Sequence, residues 1–259
     1  MDLGLRGRSF ILTGASRGLG FATARTLVDE GARVTLVART SKTLAEAADS
    51  LGDGNVITVV GDLADEAITE AAVTAAMEAF GRLDGALVSA GSPSPGTVMS
   101  ASDDAWRLAF DTVFLGGLRM ARAVVENASA SDGPAGTGAS VVMVLSSSAR
   151  SPIPGLVHSN GLRPGLAMLV KELADEVGPE GIRVNGMLPG RIDTDNVREQ
   201  DARRGDPAEV RTRHESAIPL RRYGQPEEFG RLATFLLSPA ASYVNGSLFA
   251  VDGGMMRAL

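Results

Sequence analysis

The sequence predicts a single α/β domain in which helices cover both faces of one parallel sheet. Short apolar runs rich in β-branched residues alternate with Ala-rich stretches of helical periodicity. This alternation is typical of strand–helix–strand units with right-handed crossovers. Aromatic residues make up only 4% of the 259 residues, so Ala, Val, Leu and Ile must build the core, as in sheets buried on both faces. A chain of this length suits one large domain better than two small ones.

Seven apolar runs are predicted as buried strands, and helical patterns fill the intervals between them. The strands are predicted at residues 9–13, 33–38, 55–60, 85–88, 140–145, 182–187 and 248–251. The helices are predicted near residues 18–30, 41–51, 65–80, 102–127, 158–178 and 225–238. Asp62 to Asp65 supply a start signal for the third helix. The polar, Gly-rich stretch 127–140 predicts a loose surface connection.

Composition and charge exclude several classes of function. The net charge of −6 and the isoelectric point near 5.1 argue against nucleic acid or an anionic membrane as the main partner. The chain has no cysteine, which excludes a disulfide scaffold and a thiolate metal site; no metal is predicted. The apolar run before Thr13 is too short for a signal-peptide core, and no segment reaches a membrane-spanning length. We therefore expect a soluble, cytoplasmic protein.

The turn after the first predicted strand has the residues of a dinucleotide-phosphate site. Thr13-Gly14-Ala15-Ser16-Arg17-Gly18-Leu19-Gly20 joins that strand to a helix. The three glycines allow a tight turn, close approach to a pyrophosphate, and close packing of helix on strand. The helix N-terminus adds free N–H groups and a favourable dipole for the anion. The pattern therefore predicts a doubly wound domain of the Rossmann type.

The residues after the second strand favour NADP(H) over NAD(H). An NAD-preferring site places a carboxylate there to bind the ribose 2′-hydroxyl. In this chain Arg39, Thr40 and Ser41 follow the strand, and none of them is acidic. Arg39 and Arg17 offer two planar guanidinium groups suited to a 2′-phosphate; the alternative is two ordinary surface arginines. The missing acid and the paired arginines together predict NADP(H).

These motifs resemble those of the short-chain dehydrogenase/reductase family, and the resemblance covers nearly the whole chain. Gly61-Asp62-Leu63 is similar to the family's adenine-contacting element, and Val88-Ser89-Ala90-Gly91 stands where Asn-Asn-Ala-Gly is usual. Residues 189–194 resemble the nicotinamide-side strand end, and the tail 219–254 is most similar to 3-oxoacyl-ACP reductases. The resemblance implies a cofactor site formed by Gly14, Ser16, Arg17, Gly18, Leu19, Gly20, Arg39, Thr40, Asp62, Leu63, Ser89, Ala90, Gly91, Arg163, Pro189, Gly190, Ile192 and Thr194.

The resemblance weakens at the catalytic residues. Family members carry Asn, Ser, Tyr and Lys, with Tyr and Lys three residues apart on the helix after the fifth strand. Aligned on that pattern, Val113 takes the Asn position and Ser146 matches the catalytic Ser. Ser159 and Arg163 take the positions of Tyr and Lys. One of the four catalytic groups therefore remains.

Realignment cannot recover the tyrosine, because Tyr223 and Tyr243 both lie in the C-terminal segment. A serine hydroxyl is a far weaker acid than the tyrosine phenol, whose pKa is about 10. Arg163 stays protonated, so it cannot relay a proton, although it can bind a ribose and hold positive charge. Losing the proton donor is expected to remove about 10²–10⁴-fold in rate without affecting cofactor binding.

His158 is the alternative proton donor. Its unperturbed pKa of about 6.5 suits proton transfer, but adjacent helical residues point about 100° apart, so it cannot simply replace Ser159. The competing interpretation is a helix-end histidine at the rim of the pocket. Asn160 is a neutral donor that can orient a substrate but cannot protonate it.

Residues 194–219 are highly charged and follow the sixth strand, where such sheets place substrate-covering elements. We expect either a lid over the substrate or a solvated surface helix. The segment contains Arg203, Arg204, Arg211, Arg213 and His214. If the substrate is a thioester on acyl carrier protein, the basic residues at 203–213 predict a docking surface for that acidic partner. The family resemblance also implies a homotetramer that uses the helices near 102–127 and 158–178.

Two functions remain compatible with these residues. The first is an NADPH-dependent carbonyl reductase, of 3-oxoacyl type, acting on a small-molecule carbonyl or an acyl thioester. In it Ser146 orients the substrate oxygen, Arg163 binds the nicotinamide ribose, and His158 or water supplies the proton. The second is a catalytically inactive, NADP-binding homologue that acts as a regulatory or structural partner. The substrate-side features that remain, and the exchange of Lys for another cation at Arg163, favour the reductase.

Overall fold

The computed structural model describes residues 2–52, 54–129 and 137–257, and within them seven parallel strands form one sheet. The strands are β1 (Ser9–Thr13), β2 (Arg33–Ala38), β3 (Val56–Val60), β4 (Gly85–Val88), β5 (Ser140–Val144), β6 (Arg183–Pro189) and β7 (Leu248–Val251). Their order across the sheet is β3-β2-β1-β4-β5-β6-β7. The chain extends outward from β1 to β3, returns to place β4 beside β1, and then extends the other way. This is the predicted doubly wound topology.

Helices connect the strands and cover the sheet. They are α1 (Gly18–Asp29), α2 (Ser41–Leu51), α3 (Glu66–Phe80), α4 (Asp103–Ala109), α5 (Gly116–Glu126), α6 (Val157–Val177), α7 (Asp195–Ala202), α8 (Pro207–Ala217) and α9 (Pro226–Leu237). Local capping explains where several of them begin. The Asp65 carboxylate accepts the N–H of Ala67 at the start of α3, and Asp206 caps α8 in the same way, just before Pro207. None of the helices in the described ranges is long and apolar enough to cross a membrane.

The core lies on both faces of the sheet, as predicted for strands buried on both sides. One apolar cluster joins the sheet to α3, α5 and α6, and the other joins it to α1, α2 and α9. Close approach of α1 and α9 depends on a glycine, because a Cβ added to Gly230 would lie 2.8 Å from the carbonyl oxygen of Ala22. The two layers hold the carboxyl ends of β1, β4, β5 and β6 along one edge of the sheet.

The prediction of a single helix near 102–127 is wrong, because the structure has two α-helices there. A π-helical turn at Phe110–Leu115 separates α4 from α5. The wider turn lets the α5 N-terminus pack directly on the chain after β3, where a Cβ on Gly116 would lie 2.5 Å from the carbonyl oxygen of Leu63. Propensity alone does not reveal such a turn, because it depends on this tertiary contact.

Most other predicted bounds differ by one or two residues. The strand predicted at 55–60 begins at Val56, the one at 140–145 ends at Val144, and the sixth runs Arg183–Pro189 because Pro189 still pairs with Val251 of β7. In the connection predicted at 127–140, residues 130–136 lie outside the described residues.

Candidate active site

The turn between β1 and α1 has the conformation that a bound phosphate requires. Gly14 and Gly18 have φ values of +61° and +60°, in the left-handed region that favours glycine. A Cβ on Gly20 would lie only 2.6 Å from the carbonyl oxygen of Gly14, so α1 can begin this close to β1 only with glycine there. No side chain caps α1 at its N-cap residue, Arg17. The first N–H groups of the helix, which have no partner within it, are thus available to an anion.

The turn is fixed to the end of β4. The Thr13 hydroxyl accepts the N–H of Ser89 at 2.7 Å and lies 3.0 Å from the Ser89 carbonyl oxygen, to which it donates. A Cβ on Gly14 would lie 2.9 Å from that same oxygen. Ala90 and Gly91 follow directly at the same edge of the sheet. The predicted phosphate-binding turn and the predicted cofactor residues after β4 therefore lie next to each other.

Both arginines predicted to bind a 2′-phosphate lie at the surface, and each faces a carboxylate. Arg17 Nη1 is 3.6 Å from Glu199 Oε1, and Arg39 Nη1 is 3.6 Å from Asp62 Oδ2. Exposed ion pairs of this kind contribute about 0–1 kcal/mol, so a dianionic phosphate can replace either carboxylate. Asp62 is also held by its own loop, where it accepts the N–H of Ala64.

The segment after β6 closes the other side of the site. A Cβ on Gly190 would lie 2.5 Å from the Cβ of Asp252, which holds this backbone against the C-terminal tail. Ile192 is buried in the core, and the Thr194 hydroxyl accepts the N–H of Val197 to cap α7. Thr194 Cγ2 would be 3.4 Å from a Cβ on Gly18, so this segment borders the phosphate turn.

The hydroxyl bonded to Ser159 belongs to Ser148, whereas the sequence pattern paired Ser159 with Ser146. Ser148 Oγ and Ser159 Oγ lie 2.8 Å apart and share a buried hydrogen bond. Ser146 Oγ instead accepts the N–H of Ser148, capping a short 3₁₀ turn at Ser147–Ala149. That turn carries the chain from β5 toward α6, so the third of the consecutive serines reaches the helix. Spacing along the chain could not distinguish the three.

Arg163 is a buried cation at the ends of two strands. Its Nη1 donates to the Val144 carbonyl of β5 at 2.6 Å, and its Nη2 donates to the Gly91 carbonyl after β4 at 2.8 Å. The residue is 5% exposed, and burial lowers the pKa of Arg163 to about 10, which leaves it charged at neutral pH. Among the described residues no carboxylate forms an ion pair with it. This edge of the sheet therefore carries an uncompensated positive charge.

His158 hydrogen-bonds the loop after β4. Its Nδ1 lies 2.8 Å from the Ser94 carbonyl oxygen, so Nδ1 carries the proton that is donated there. The residue is 1% exposed and its ring meets Trp106 edge-on, with centroids 4.8 Å apart. Its Nε2 is buried without a partner among the described residues. His158 is thus a buried residue at the start of α6, and its one hydrogen bond leads to the loop after β4.

Two further residues, Asn160 and Val113, supply no acid. The Asn160 side chain accepts the N–H of Ile153 and donates to the Ile153 carbonyl, both at 2.9 Å. Val113 is buried in the π-helical turn and offers no polar atom. Neither residue replaces the missing acid.

Neither tyrosine reaches the serine pair. Tyr223 is buried and its hydroxyl donates to Asp201 Oδ2 at 2.8 Å. Burial and this carboxylate raise the pKa of Tyr223, so it is a poorer acid than a free tyrosine. Tyr243 is fully exposed. Sequence reasoning did not predict the Tyr223–Asp201 contact, because the two residues are 22 positions apart and follow no motif.

The basic residues of 194–219 are largely engaged in ion pairs. Arg203 lies 3.5 Å from Glu199, and Arg211 bonds both Asp193 and Glu215 at about 3 Å. These pairs reduce the positive potential on which the predicted acyl carrier protein dock depends.

The chain is similar in sequence to known oxidoreductases. A family described as enoyl-(acyl carrier protein) reductase matches residues 14–256. Levodione reductase of Leifsonia aquatica is 34% identical over 266 residues, covering 97% of this chain and 95% of that protein.

Solved structures share the whole fold. L-sorbose reductase of Gluconobacter frateurii, complexed with NADPH and L-sorbose, superposes with a TM-score of 0.91 at 32% identity over 100% of both chains. A short-chain oxidoreductase of Pseudomonas aeruginosa PAO1, described as containing an atypical catalytic center, superposes with a TM-score of 0.88 at 29% identity, covering 99% of this chain and 100% of that one. Family match, sequence identity and fold together assign this chain to the short-chain dehydrogenase/reductase family of oxidoreductases.

Proposed function

We propose that this protein is an NADPH-dependent carbonyl reductase whose active site uses a pair of serines and an arginine in place of tyrosine and lysine. The observation that carries the proposal is the buried Ser148–Ser159 hydrogen bond beside the Arg163 cation, at the carboxyl ends of β4 and β5. Ligands of doubly wound sheets bind at this edge.

The geometry of these residues fits NADPH. The phosphate turn has no room for a Cβ at Gly14 or Gly20 and leaves the α1 N-terminus uncapped, as a pyrophosphate requires. Arg17 and Arg39 lie on that side and would bind the 2′-phosphate. Gly190 and Thr194 would border the nicotinamide, and Asp62 and Leu63 the adenine. When bound, the cofactor supplies a hydride to the carbonyl carbon of the substrate.

The serine hydroxyls would orient the substrate and the arginine would stabilise negative charge. A hydroxyl of the Ser148–Ser159 pair donates a hydrogen bond to the carbonyl oxygen, while its partner holds it in place. Arg163 is held rigidly by two main-chain carbonyls, and its charge acts through a buried, low-dielectric region where electrostatic effects are strong. The serine hydroxyls are hydrogen-bond donors and not terminal acids, so the reduction takes up one proton from the buffered solvent as the alkoxide becomes the alcohol.

The proposed substrate is a small ketone. Relatives named for the reduction of levodione and L-sorbose favour cyclic diketones and ketoses. The resemblance of the tail to 3-oxoacyl-ACP reductases adds 3-oxoacyl thioesters to the candidate substrates. We also propose that 194–219 is a substrate-side lid on a single domain and that the chain assembles as a homotetramer in the cytoplasm.

A second function is favoured by a specific observation. Nη1 and Nη2 of Arg163 both donate to main-chain carbonyls, and the two serine hydroxyls are hydrogen-bonded to each other. Such contacts also suit a structural role. The alternative is thus a protein that binds NADP(H) without turnover and acts as a regulatory or structural partner.

One experiment separates the two functions. NADPH binding is measured by calorimetry, and NADPH oxidation is followed with ketoses, cyclic diketones and a simple 3-oxoacyl thioester. The reductase proposal expects binding together with steady oxidation by at least one class. Binding without oxidation across the panel supports the inactive homologue, most strongly if Ser159→Tyr with Arg163→Lys then confers activity. Absence of NADPH binding contradicts both.

A further inference from the structure

A largely buried polar cluster joins the loop after β6 to both helices of the 194–219 segment. Arg191 Nη1 lies 3.0 Å from Asp201 Oδ1 of α7, and Arg191 Nη2 lies 2.9 Å from His214 Nε2 of α8. The Tyr223 hydroxyl donates to the other oxygen of Asp201. We call these four residues the lid cluster. Through it one guanidinium holds two helices.

The helix α7 lies along the mouth of the cofactor site. Asn196 Nδ2 donates to Ser92 Oγ at 3.1 Å, which links α7 to the loop after β4. Glu199 faces Arg17 at the N-terminus of α1. Whatever fixes α7 and α8 therefore also fixes one wall of the proposed substrate site.

The contact between Arg191 and His214 has a protonation requirement. A guanidinium has only donors, so His214 Nε2 must accept, and the imidazole must be neutral with its proton on Nδ1. Protonation would turn Nε2 into a donor that faces another donor. The contact therefore exists only while His214 is uncharged.

The charged groups around His214 also favour the neutral form. Arg191 faces it from the loop after β6, Arg204 from the connection between α7 and α8, and Arg213 from its own helix. Asp201 of α7 opposes them at 4.0 Å, but that carboxylate is already bound to Arg191 and Tyr223. Burial, followed by the charge of Arg191, lowers the pKa of His214 below its usual 6.5.

We propose that Arg191 is a positioning residue that docks α7 and α8 over the substrate site, and that docking requires neutral His214. The substrate role of the lid rests on the proposed function, whereas the docking itself does not. His214 binds a proton less tightly in the folded state than in the unfolded state. Its contact with Arg191 therefore stabilises the docked helices fully above about pH 6.5. This stabilisation is lost as the pH falls through the pKa of His214 in the folded state.

Imidazole NMR tests the docking without any substrate, and only two histidines have to be assigned. With ¹⁵N-labelled histidine, His214 is expected as the Nδ1-protonated tautomer at pH 7.5, with a midpoint below 6.5. In Arg191→Gln the midpoint should rise toward 6.5, and amides of 195–217 should exchange faster by about tenfold. The matched control Arg213→Gln removes an exposed arginine of α8 and should shift the midpoint much less. An Nε2-protonated tautomer, or a midpoint that Arg191→Gln leaves unchanged, would overturn the proposal.

A second variant covers the case in which Arg191→Gln does not fold. His214→Gln keeps an acceptor for Arg191 but cannot titrate, so amide protection of 195–217, corrected for intrinsic exchange, should no longer fall between pH 7 and 5. An unchanged loss of protection in this variant would contradict the proposal. If the protein reduces a ketone, Arg191→Gln should raise KM more than it lowers kcat. An inactive protein that still shows the tautomer and exchange results would disprove the function but not the docking.

Discussion

Ser148 and Ser159 share a buried hydrogen bond between hydroxyl oxygens 2.8 Å apart, one from the turn after β5 and the other from the first turn of α6. Buried hydroxyls bonded to each other hold fixed rotamers, so either can present its remaining hydrogen-bonding capacity in a fixed direction. The pair occupies the region where the family resemblance places a tyrosine. The proposed chemistry therefore depends on orientation and charge, with no strong acid.

Replacement of Arg163 should affect both stability and activity. Arg163→Met leaves the carbonyls of Val144 and Gly91 without their donors, while relieving the cost of burying a cation. We expect a net loss of about 2 kcal/mol, or about 4–8 °C in Tm for a domain of this size. Reductase activity should fall about 10²-fold because the positive charge is lost. Calorimetry and NADPH oxidation measure the two effects.

Arg163→Lys serves as the matched comparison. It keeps the charge but cannot bond both carbonyls in the planar geometry of arginine, so we expect an intermediate Tm and substantial remaining activity. Equal loss of activity in the Lys and Met variants would contradict a role for the charge.

Cofactor preference should depend on the two surface arginines. In Arg39→Ser the 2′-phosphate loses one charge-assisted partner, so the Kd for NADPH should rise about tenfold, corresponding to about 1.4 kcal/mol. The Kd for NADH should stay unchanged. Arg107→Ala removes an arginine of α4 that pairs with the neighbouring Asp103 and Asp104, and should alter neither value. An equal effect of Arg39→Ser on both cofactors would refute the assignment.

Gly20→Ala should damage the phosphate turn. The added Cβ would lie 2.6 Å from the Gly14 carbonyl oxygen, so the backbone must move away from the pyrophosphate position. We expect a stability loss of about 1–3 kcal/mol and NADPH binding at least tenfold weaker. Gly117→Ala, in α5, is the control, because its nearest neighbour would be 3.6 Å away and alanine favours a helix. Similar behaviour of the two variants would contradict the close packing.

Assembly should involve α4 and α6. Leu108 and Met168 are 63% and 71% exposed on these helices, and covering such side chains favours association. Light scattering should give four times the chain mass of 26.8 kDa. Met168→Glu should lower that mass, whereas Met77→Glu, on α3, should not. A monomeric wild-type protein would contradict the tetramer.

The sheet and its helices were predictable because their signals are local. The runs at Ser9–Thr13, Arg33–Ala38 and Gly85–Val88 were predicted with the bounds that the structure has. Each is apolar, short and bounded by turn residues, so neighbouring sequence determines it. The glycines of the phosphate turn could be predicted for the same reason, since their spacing encodes a local backbone conformation.

Contacts between distant segments could not be predicted. Ser146, Ser147 and Ser148 are equivalent by composition, and only the turn after β5 decides which of them meets Ser159. Arg163 was recognised as a retained positive charge, but its carbonyl partners come from two strand ends. The lid cluster combines residues from three segments, and no periodic pattern marks it.

The most direct test of the central claim is the rate of NADPH oxidation by Ser159→Ala, compared with the wild type, on the best ketone of the panel. We predict turnover by the wild type and a fall of about 10²-fold in kcat for Ser159→Ala, as expected when an oriented donor to the developing oxyanion is removed. Ser148→Ala should fall similarly, and Ser216→Ala, on the surface of α8, should match the wild type. Wild-type turnover that Ser159→Ala leaves unchanged would contradict the account.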